Sequence, residues 1–479
     1  MNEYNIVSSI PSCVWTNGVA INERIDSMYY RSSSIKDYQK IKKFSKIRRV
    51  SNYFDVSKLS GFEYTDYFTE ESLKSGTVIA LTSQNVMENQ INFDNIIKIP
   101  FEIHNSLERS KIYPNDILLS YTGQYRRACT APQNIELHLG PNICRLRSTK
   151  LIDVHYVSTF LNCRYGQSSL DREKTMSAQP TVNMSRIRDI LLPIPSSEIQ
   201  KYIGDKVRKA EELREEAKRL KKEAEEVLSE KLNVKELLLK INKYTEKHNW
   251  INDSDINDRM DALYYNPQKT IIRRFYKKYD LRKLNTLVDY KKGFAFKSED
   301  YCHSSTNTFL LRVSDISNNE VNMDNMIKLS DKFYQEYIDF NLFNEDIVMV
   351  VTGNTTGKSV IINNSKSKLL LNQNAIRMRL KDGTNVSTYY IELILQSQYF
   401  QTLLKYSLYQ SVQPFISMEF LNEVKIPIID KIEREDISNL YKKSLNNLFY
   451  SKQLIQEAKQ DVEDLIEGNF DMSKIKVNN

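Results

Sequence analysis

The 479-residue chain carries one sequence pattern that occurs twice. Residues 21–30, INERIDSMYY, return as INDRMDALYY at 256–265, with six of ten positions identical. Residues 81–98 return in the same way at 311–328. Such internal repetition indicates a duplicated structural unit, so the chain should fold as two similar domains. Further pairs follow in the same order: Gly61-Phe62 with Gly293-Phe294, Asp116-Ile117 with Asp346-Ile347, Thr122-Gly123 with Thr352-Gly353, Arg145 and Arg147 with Arg377 and Arg379, Gln179-Pro180 with Gln413-Pro414, and Pro193 with Pro427.

A long helix is predicted after each repeat. Residues 196–246 contain no proline, and from Ala210 onward apolar side chains recur at alternating steps of three and four, the heptad pattern of a seam between helices. We expect one helix over this run, about 75 Å long at about 1.5 Å per residue. A narrow apolar stripe needs a partner. Because a second proline-free run with similar spacing occupies 430–467, we expect the two helices to pair.

Composition is that of a soluble globular protein, with 41% hydrophobic and 27% charged residues. The formal net charge is +7, and the positive excess lies in the repeats and not in the helices. This distribution favours a polyanionic partner. Five scattered cysteines predict neither a disulfide framework nor a zinc site, which indicates a reducing compartment. Since the sequence has no signal peptide and no run of about 18 apolar residues, we expect a cytoplasmic protein without a membrane partner.

Each repeat is predicted to be α+β, with strands first and helices joining later. Short β-prone runs such as 116–120 and 346–351 are separated by Asn, Ser, Gly and Pro turn signals, whereas helical segments come near 154–163 and 387–406. Prolines end each repeat immediately before its long helix. The predicted division is a first domain at 1–195, a first helix at 196–248, a second domain at 249–429, and a second helix with a tail at 430–479.

Motifs of known enzymes are matched only in part. The stretch from Thr352 to Ser359 resembles a phosphate-binding loop, but three residues separate Gly353 from Gly357 where the nucleotide loop needs four. Asn266-Pro-Gln resembles the Asn-Pro-Pro-Tyr motif of amino-methyltransferases only at its start, and no glycine-rich cofactor loop precedes it. Nuclease carboxylate clusters are absent from the sequence, and the histidines are isolated. The Thr-Gly turns remain, either as structural turns or as backbone N–H groups and cations suited to DNA.

Differences between the copies are informative, because two readers of different sequences should share a frame and diverge at contact points. The arginine pairs, by contrast, occur in both copies, two residues apart in β-prone runs. This spacing puts both guanidinium groups on one strand face, which is either a solvated face or a functional one. The divergent positions are Thr82 against Arg312, Gln84 against Ser314, Gln124 to Arg127 against Asn354 to Lys358, and Arg172 to Met176 against Ser407 to Gln410.

In this order of elements the sequence resembles the specificity subunit of type I restriction-modification systems, over essentially its full length. The resemblance rests on Gly-Phe-x-aromatic at 61–64, Asp-Ile then Thr-Gly at 116–123, Gln-Pro then Ile-Pro at 179–195, and the second-copy equivalents. One departure is that the first copy lacks the second glycine of the Thr-Gly turn. The family implies two target recognition domains, each followed by a long helix, with the helices pairing antiparallel as a spacer.

The resemblance also implies a non-catalytic chain in a phage-defence complex. Each domain would read one half of a bipartite, asymmetric double-stranded DNA target, and the helices would fix the gap. Two methyltransferase subunits using S-adenosylmethionine, and restriction subunits using ATP and Mg, would assemble on the chain, which itself would bind no cofactor and no metal. The candidate DNA-binding residues are Thr82, Gln84, Thr122, Gln124, Tyr125, Arg126, Arg127, Arg172, Lys174 and Gln179 in the first copy, and Arg312, Ser314, Thr352, Asn354, Thr355, Thr356, Lys358, Tyr409 and Gln413 in the second.

Three other functions compete with this interpretation. A related nuclease-methyltransferase system without a motor uses a similar specificity subunit, and neighbouring genes would separate the two. A coiled-coil scaffold with two protein-binding modules would not bind DNA, whereas salt-dependent binding of duplex DNA would indicate phosphate contacts. An autonomous DNA methyltransferase is disfavoured by the incomplete motifs.

Overall fold

The computed structural model describes residues 4–9, 12–16, 24, 26–27, 29–123, 126–175, 178–244, 250–253, 256, 265–302, 306–317, 320–323, 326–363, 367–408 and 414–476. The chain divides into two compact units, and each contains one copy of the repeat. The first unit comprises residues 1–213 and 450–479, and the second comprises residues 214–449.

Strands of the first unit build two four-stranded sheets. They are β1 (Tyr4–Ser9), β2 (Ser12–Thr16), β3 (Ile47–Arg49), β4 (Phe54–Lys58), β5 (Val78–Leu81), β6 (Val86–Met87), β7 (Gln90–Ile91), β8 (Ile97–Ile99), β9 (Lys111–Ile112), β10 (Ile117–Ser120), β11 (Ala128–Thr130), β12 (Leu137–Leu139), β13 (Ile143–Ser148) and β14 (Leu191–Pro193). One sheet has the order β11-β10-β13-β4 and is antiparallel throughout. The other has the order β8-β5-β12-β9, with β5 and β12 parallel.

The second unit repeats both sheets. Its strands are β15 (Asp280–Lys283), β16 (Val288–Lys292), β17 (Thr308–Leu311), β18 (Ile316–Ser317), β19 (Glu320–Val321), β20 (Ile327–Leu329), β21 (Asn341–Leu342), β22 (Ile347–Val350), β23 (Ser359–Ile361), β24 (Lys368–Leu371), β25 (Ala375–Leu380) and β26 (Lys425–Ile428). The sheet β16-β25-β22-β23 is antiparallel, and β20-β17-β24-β21 contains the parallel pair β17 and β24. Every residue of β10 and β22 is buried, as expected for a short run of apolar residues at a sheet centre.

Each unit combines sheets with helices, so the α+β prediction is confirmed, but several helices precede or interrupt the strands instead of following them. The helices are α1 (Ser32–Lys42), α2 (Gly61–Tyr67), α3 (Glu70–Lys74), α4 (Phe101–Ser106), α5 (Val154–Asn162), α6 (Arg164–Glu173), α7 (Met184–Asp189), α8 (Ser197–Lys231), α9 (Val234–Lys243), α10 (Pro267–Tyr276), α11 (Leu284–Leu287), α12 (Asp331–Glu336), α13 (Thr388–Gln396), α14 (Gln398–Lys405), α15 (Met418–Glu423), α16 (Lys431–Glu467) and α17 (Ser473–Lys476). The Tyr156 hydroxyl on α5 donates to Pro193 O at 3.0 Å, and the Tyr390 hydroxyl on α13 donates to Pro427 O at 2.8 Å. The repeated prolines therefore anchor the same helix in both units.

The first long helix is shorter than predicted, because α8 ends at Lys231 and not near residue 246. Asn233 adopts a left-handed φ of 50°, which Asn tolerates better than most residues. The Tyr279 hydroxyl lies 3.0 Å from the backbone oxygen of Lys231 and 2.9 Å from the side-chain nitrogen Nδ2 of Asn233. Tyr279 thus satisfies a carbonyl that the break leaves open, and α9 then turns Leu237 and Ile241 into the core.

The second long helix, α16, confirms the predicted run at 430–467, and the two helices pair antiparallel. Within the first unit, Lys206 Nζ lies 2.6 Å from Asp461 Oδ2. Within the second unit, the Ser444 hydroxyl donates to Ala217 O at 2.7 Å, and Lys231 forms an ion pair with Glu433. Apolar residues predicted to line the two helices are buried or half-buried. The buried ones include Ile203, Val207, Ala210, Ala217, Leu220, Ala224, Ile437, Ala458 and Val462, and the half-buried ones include Leu213, Val227, Leu440, Leu448, Leu454 and Leu465.

Among the described residues, none of the helices combines the length and the apolarity needed to cross a lipid bilayer.

Candidate nucleic-acid interface

In both units a polar turn leads from the buried central strand to its edge neighbour. The first turn follows β10 and precedes β11, and the second follows β22 and precedes β23. Gly123 and Gly353 have φ values of 90° and 113°, a conformation that favours glycine. The repeated Thr-Gly dipeptide is therefore required by the backbone of the turn, and side chains around it are free to differ.

Each turn closes with the same backbone hydrogen bond. Ser120 N donates to Arg127 O at 3.0 Å in the first unit, and Val350 N donates to Lys358 O at 2.8 Å in the second. Arg127 and Lys358 thus occupy equivalent positions, although the second loop is one residue longer. A cation follows each loop at the point where the chain re-enters the sheet.

The Gln-Pro segment, more than fifty residues later in the sequence, meets each turn. Gly123 N donates to Pro180 O at 3.1 Å, and Gly353 N donates to Pro414 O at 3.2 Å. In both units the threonine before the glycine also forms a β-bridge with the residue after the proline. The structure therefore brings two sequence-predicted stretches together as one two-part surface in each unit.

The far end of each loop is held by a glutamine that the sequence analysis missed. Gln167 Nε2 on α6 donates to Arg126 O at 2.6 Å, and Gln401 Nε2 on α14 donates to Gly357 O at 3.2 Å. The two glutamines are 234 residues apart, the same offset as Gln179 and Gln413. This shared offset was a signal that sequence comparison of the copies could have used.

Two predicted DNA-binding arginines are buried, which corrects the expectation that they lie at the surface. Arg126 is 3% exposed and forms an ion pair with Asp171. Arg172 is 4% exposed, and its guanidinium carbon lies 4.0 Å from the Tyr29 ring centroid and 4.1 Å from the Tyr38 centroid. Cation–π stacking of this kind fixes both sides of the side chain. Both arginine side chains therefore form contacts inside the first unit, beneath its surface.

Other predicted residues of the first unit lie at or near the surface. Gln179 is exposed, whereas Thr122, Arg127 and Lys174 are half-buried. Arg127 Nη1 lies 3.0 Å from Met87 Sδ on the β6–β7 hairpin, which places that hairpin beside the turn. Lys174 Nζ lies 3.2 Å from Asp171 Oδ1, the carboxylate that also pairs with Arg126. One aspartate therefore organises two cations beneath the loop.

In the second turn the predicted side chains of Asn354 and Lys358 are exposed. Thr352, Thr355 and Thr356 are half-buried. The Thr356 hydroxyl lies 2.6 Å from Gly353 O and 3.0 Å from Pro414 O, so it braces the turn against the Gln-Pro segment. The second turn consequently offers an amide and an ammonium group where the first offers a guanidinium group.

A short hairpin carries the remaining predicted residues. Thr82 N and Thr82 Oγ1 lie 2.9 and 3.0 Å from Asn85 Oδ1, while Arg312 N and Arg312 Nη2 each lie 2.9 Å from an Asp315 oxygen. Hydrogen bonding to Asp315 raises the pKa of Arg312 above its ordinary value. Thr82 and Arg312 are half-buried. Gln84 and Ser314, the other two predicted residues beside these hairpins, are exposed.

Four predicted residues lie outside the described residues: Gln124, Tyr125, Tyr409 and Gln413.

The repeated arginines on β13 and β25 are structural. Arg147 Nε and Nη2 lie 2.9 and 2.8 Å from the two Asp116 carboxylate oxygens, and Arg379 lies 2.8 and 2.7 Å from those of Asp346. Such bidentate pairs combine two charge-assisted bonds with fixed geometry. Arg147 and Arg379 are therefore occupied by equivalent ion pairs in the two units, while their side chains remain about one third exposed.

Within the described ranges, no group of three or more His, Cys, Asp or Glu side chains is arranged to hold a metal ion.

Known proteins that are similar to this chain include a curated relative and two solved structures. The type I restriction enzyme EcoBI specificity subunit of Escherichia coli is 24% identical over 156 residues, an alignment that spans 32% of this chain and 32% of that protein. A type I restriction-modification S subunit from M. genitalium superposes with a TM-score of 0.43 and 11% identity over 90% of this chain and 97% of its own. The HsdS subunit from Thermoanaerobacter tengcongensis gives a TM-score of 0.29, with 12% identity, 89% coverage of this chain and 97% of its own.

A family model locates the similarity in the second repeat. The type I restriction modification DNA specificity domain matches residues 276–460, which include the second Thr-Gly turn and most of α16. The internal repeat extends the same pattern to the first half of the chain. Residues 276–460 therefore match the DNA specificity domain of type I restriction-modification systems, and about a third of the chain is similar to a specificity subunit of such a system.

Proposed function

We propose that this chain is the DNA specificity subunit of a type I restriction-modification complex. The proposal rests on one observation above all: each unit holds the same turn-and-proline frame but fills it with different side chains. Proteins that read two different sequences with one scaffold need such an arrangement, because phosphate contacts set position while base contacts specify. Each domain then reads one half of a bipartite, asymmetric duplex target.

The domain division supports this role. Residues 1–195 and 249–429 are the two recognition domains, and residues 196–248 and 430–479 supply the helices and the tail. We propose that the paired helices determine the spacing between the two half-sites. Binding at one half-site raises the effective concentration of the other domain at the second half-site, so two modest contacts give one tight complex.

The chain acts without catalytic residues of its own. Two methyltransferase subunits, using S-adenosylmethionine, and restriction subunits, using ATP and Mg, assemble with it in the cytoplasm and together defend against phage. This assignment of partners and cofactors follows from the family resemblance. The absence of catalytic residues is supported by the sequence, in which enzyme motifs are incomplete. The Thr-Gly turns remain as the candidate functional sites.

DNA contacts are assigned first to the accessible side chains. In the first domain these are Arg127, Gln84, Thr82, Thr122, Lys174 and Gln179, and in the second they are Asn354, Lys358, Arg312, Ser314, Thr352, Thr355 and Thr356. Gln124, Tyr125, Tyr409 and Gln413 stay in the set on sequence grounds. Arg126 and Arg172 are assigned a supporting role, because their guanidinium groups are occupied inside the first domain.

Lys358→Ala is expected to weaken binding of duplex DNA by the assembled complex, and Arg127→Ala should do so through the other half-site. If each side chain contacts one phosphate, the slope of log K against log salt should fall by about one for each variant. Titration of a fixed duplex at several salt concentrations measures both quantities. Lys425→Ala is the matched control, since Lys425 is an exposed lysine on β26 and is not part of the turn. Unchanged affinity and slope in both loop variants would contradict the assignment.

A further inference from the structure

We propose that Gln167 and Gln401 are positioning residues that fix the DNA-reading loop of their own domain. The inference rests on the proposed function, since it concerns how the loops are presented to DNA. Neither glutamine belongs to the set predicted from sequence. Both were found because the two units make the same contacts at the same place.

In the first unit, Gln167 joins three elements. Its backbone N–H donates to Cys163 O at 2.9 Å within the first turn of α6. Its side-chain nitrogen lies 2.7 Å from Leu161 O at the end of α5 and 2.6 Å from Arg126 O in the loop. One amide group therefore uses both of its N–H bonds to tie the loop to the corner between two helices.

In the second unit, Gln401 repeats the arrangement. Its side-chain nitrogen lies 2.7 Å from Leu395 O, near the end of α13, and 3.2 Å from Gly357 O in the loop. Leu395 corresponds to Leu161 at the same offset of 234 residues. The residue after each bound carbonyl is the basic residue of the loop, Arg127 or Lys358. The clamp thus acts one peptide away from a proposed DNA contact.

Together with the glycine-to-proline hydrogen bond, the clamp holds each loop at both ends. Gly123 and Gly353 fix the first end, and Gln167 and Gln401 fix the second. The side chains between these anchors differ completely between the units. Two domains that read different sequences need the same loop backbone with different side chains on it. The backbone must be fixed because base readout depends on the angle at which a side chain approaches the groove.

A glutamine side chain can make both contacts because its amide nitrogen carries two N–H donors. A glutamate has the same shape but presents acceptor oxygens to two carbonyl oxygens, so the carboxylate repels both. A methionine keeps the length and removes both donors. The variants Gln167→Glu and Gln401→Glu, with the corresponding methionine variants as a second pair, therefore remove the clamp with little change in volume.

The test is selection of bound duplexes from a randomised pool by the full chain assembled with its methyltransferase subunits, followed by sequencing. The wild-type complex should yield two half-sites. Each glutamine variant should lose about tenfold in base discrimination at one half-site and keep the other, and the two variants should affect different half-sites. Gln398→Glu is the matched control, because Gln398 is exposed on the same helix as Gln401, and it should keep both half-sites.

The inference is wrong if the variants retain base discrimination at both half-sites. It is also wrong if they lose discrimination equally at both half-sites, as they would if the glutamate and the methionine variants all failed to fold. A wild-type complex that selects no bipartite target would instead refute the proposed function, so the two failures are distinguishable.

Discussion

Replacing Asp346 with alanine is expected to lower the free energy of unfolding of the second unit by about 3 kcal/mol, the cost of breaking a largely buried ion pair. The carboxylate side chain is 2% exposed, accepts two hydrogen bonds from Arg379, and accepts the Phe343 N–H at 2.7 Å. The pair also raises the pKa of Arg379 above its ordinary value. Without the carboxylate, a partly buried guanidinium group and a backbone N–H both lose their partner.

Hydrogen exchange of peptides from β22 and β25 measures this loss for the second unit alone, because exchange reports local and sub-global opening separately. Asp116→Ala should cause a similar loss in the first unit through Arg147. Asp289→Ala is the control: its carboxylate is 71% exposed and lies 3.5 Å from Lys381, so the loss should be under about 1 kcal/mol. Equal losses for Asp346→Ala and Asp289→Ala would show that the buried pair does not hold the strands.

Replacing Glu392 with glutamine is expected to stabilise the second unit at pH 8 by about 3 kcal/mol, and to change little near pH 4.5. Glu392 on α13 is fully buried, and burial raises its pKa to about 7. Gln396 Nε2 lies 2.5 Å from one carboxylate oxygen, but the effect of burial on the pKa outweighs the effect of this hydrogen bond. The charged form is therefore poorly solvated in the fold.

The direction of the pH dependence follows from the raised pKa. As the pH rises from 4.5 to 7, the unfolded chain releases this proton while the folded unit retains it, so the wild-type free energy of unfolding falls and then stays low. Chemical denaturation of both proteins between pH 4.5 and pH 8 measures the difference. Glu419→Gln, an exposed change of the same charge on α15, should run parallel to the wild type. A wild-type profile without this fall would contradict the expected ionisation.

Much of the fold is predictable because the sequence contains two copies of one pattern, which can be compared with each other. Two copies of one pattern predicted two similar α+β units, and the prolines at 193 and 427 marked where the long helices begin. The end of α8 was missed because no glycine or proline marks it, and Asn233, which adopts the left-handed conformation there, was not taken as a stop signal. The hydroxyl of Tyr279, 46 residues later in the chain, contacts this break, and sequence alone did not indicate that contact.

For the candidate interface, the sequence singled out stretches that the structure brings together, but it did not indicate the direction of each side chain. The Thr-Gly and Gln-Pro stretches are recognisable because both recur, yet their contact through Gly123 and Pro180 is a tertiary feature. Arg126 and Arg172 looked like surface cations for the same reason that Arg127 did. Their burial is decided by Asp171 and by two tyrosine rings contributed by distant segments.

We propose that two domains read two half-sites whose spacing the helices set. The most direct test is to map methylated adenines in cells carrying the wild-type chain and a variant with four residues inserted near Ala217. Four residues add about 6 Å of helix, close to two base pairs at about 3.4 Å each, and shift the register of the helix pair. The account predicts the same half-sites with a gap longer by about one or two base pairs, at reduced activity. An unchanged gap, or new half-site bases at the old gap, would contradict it.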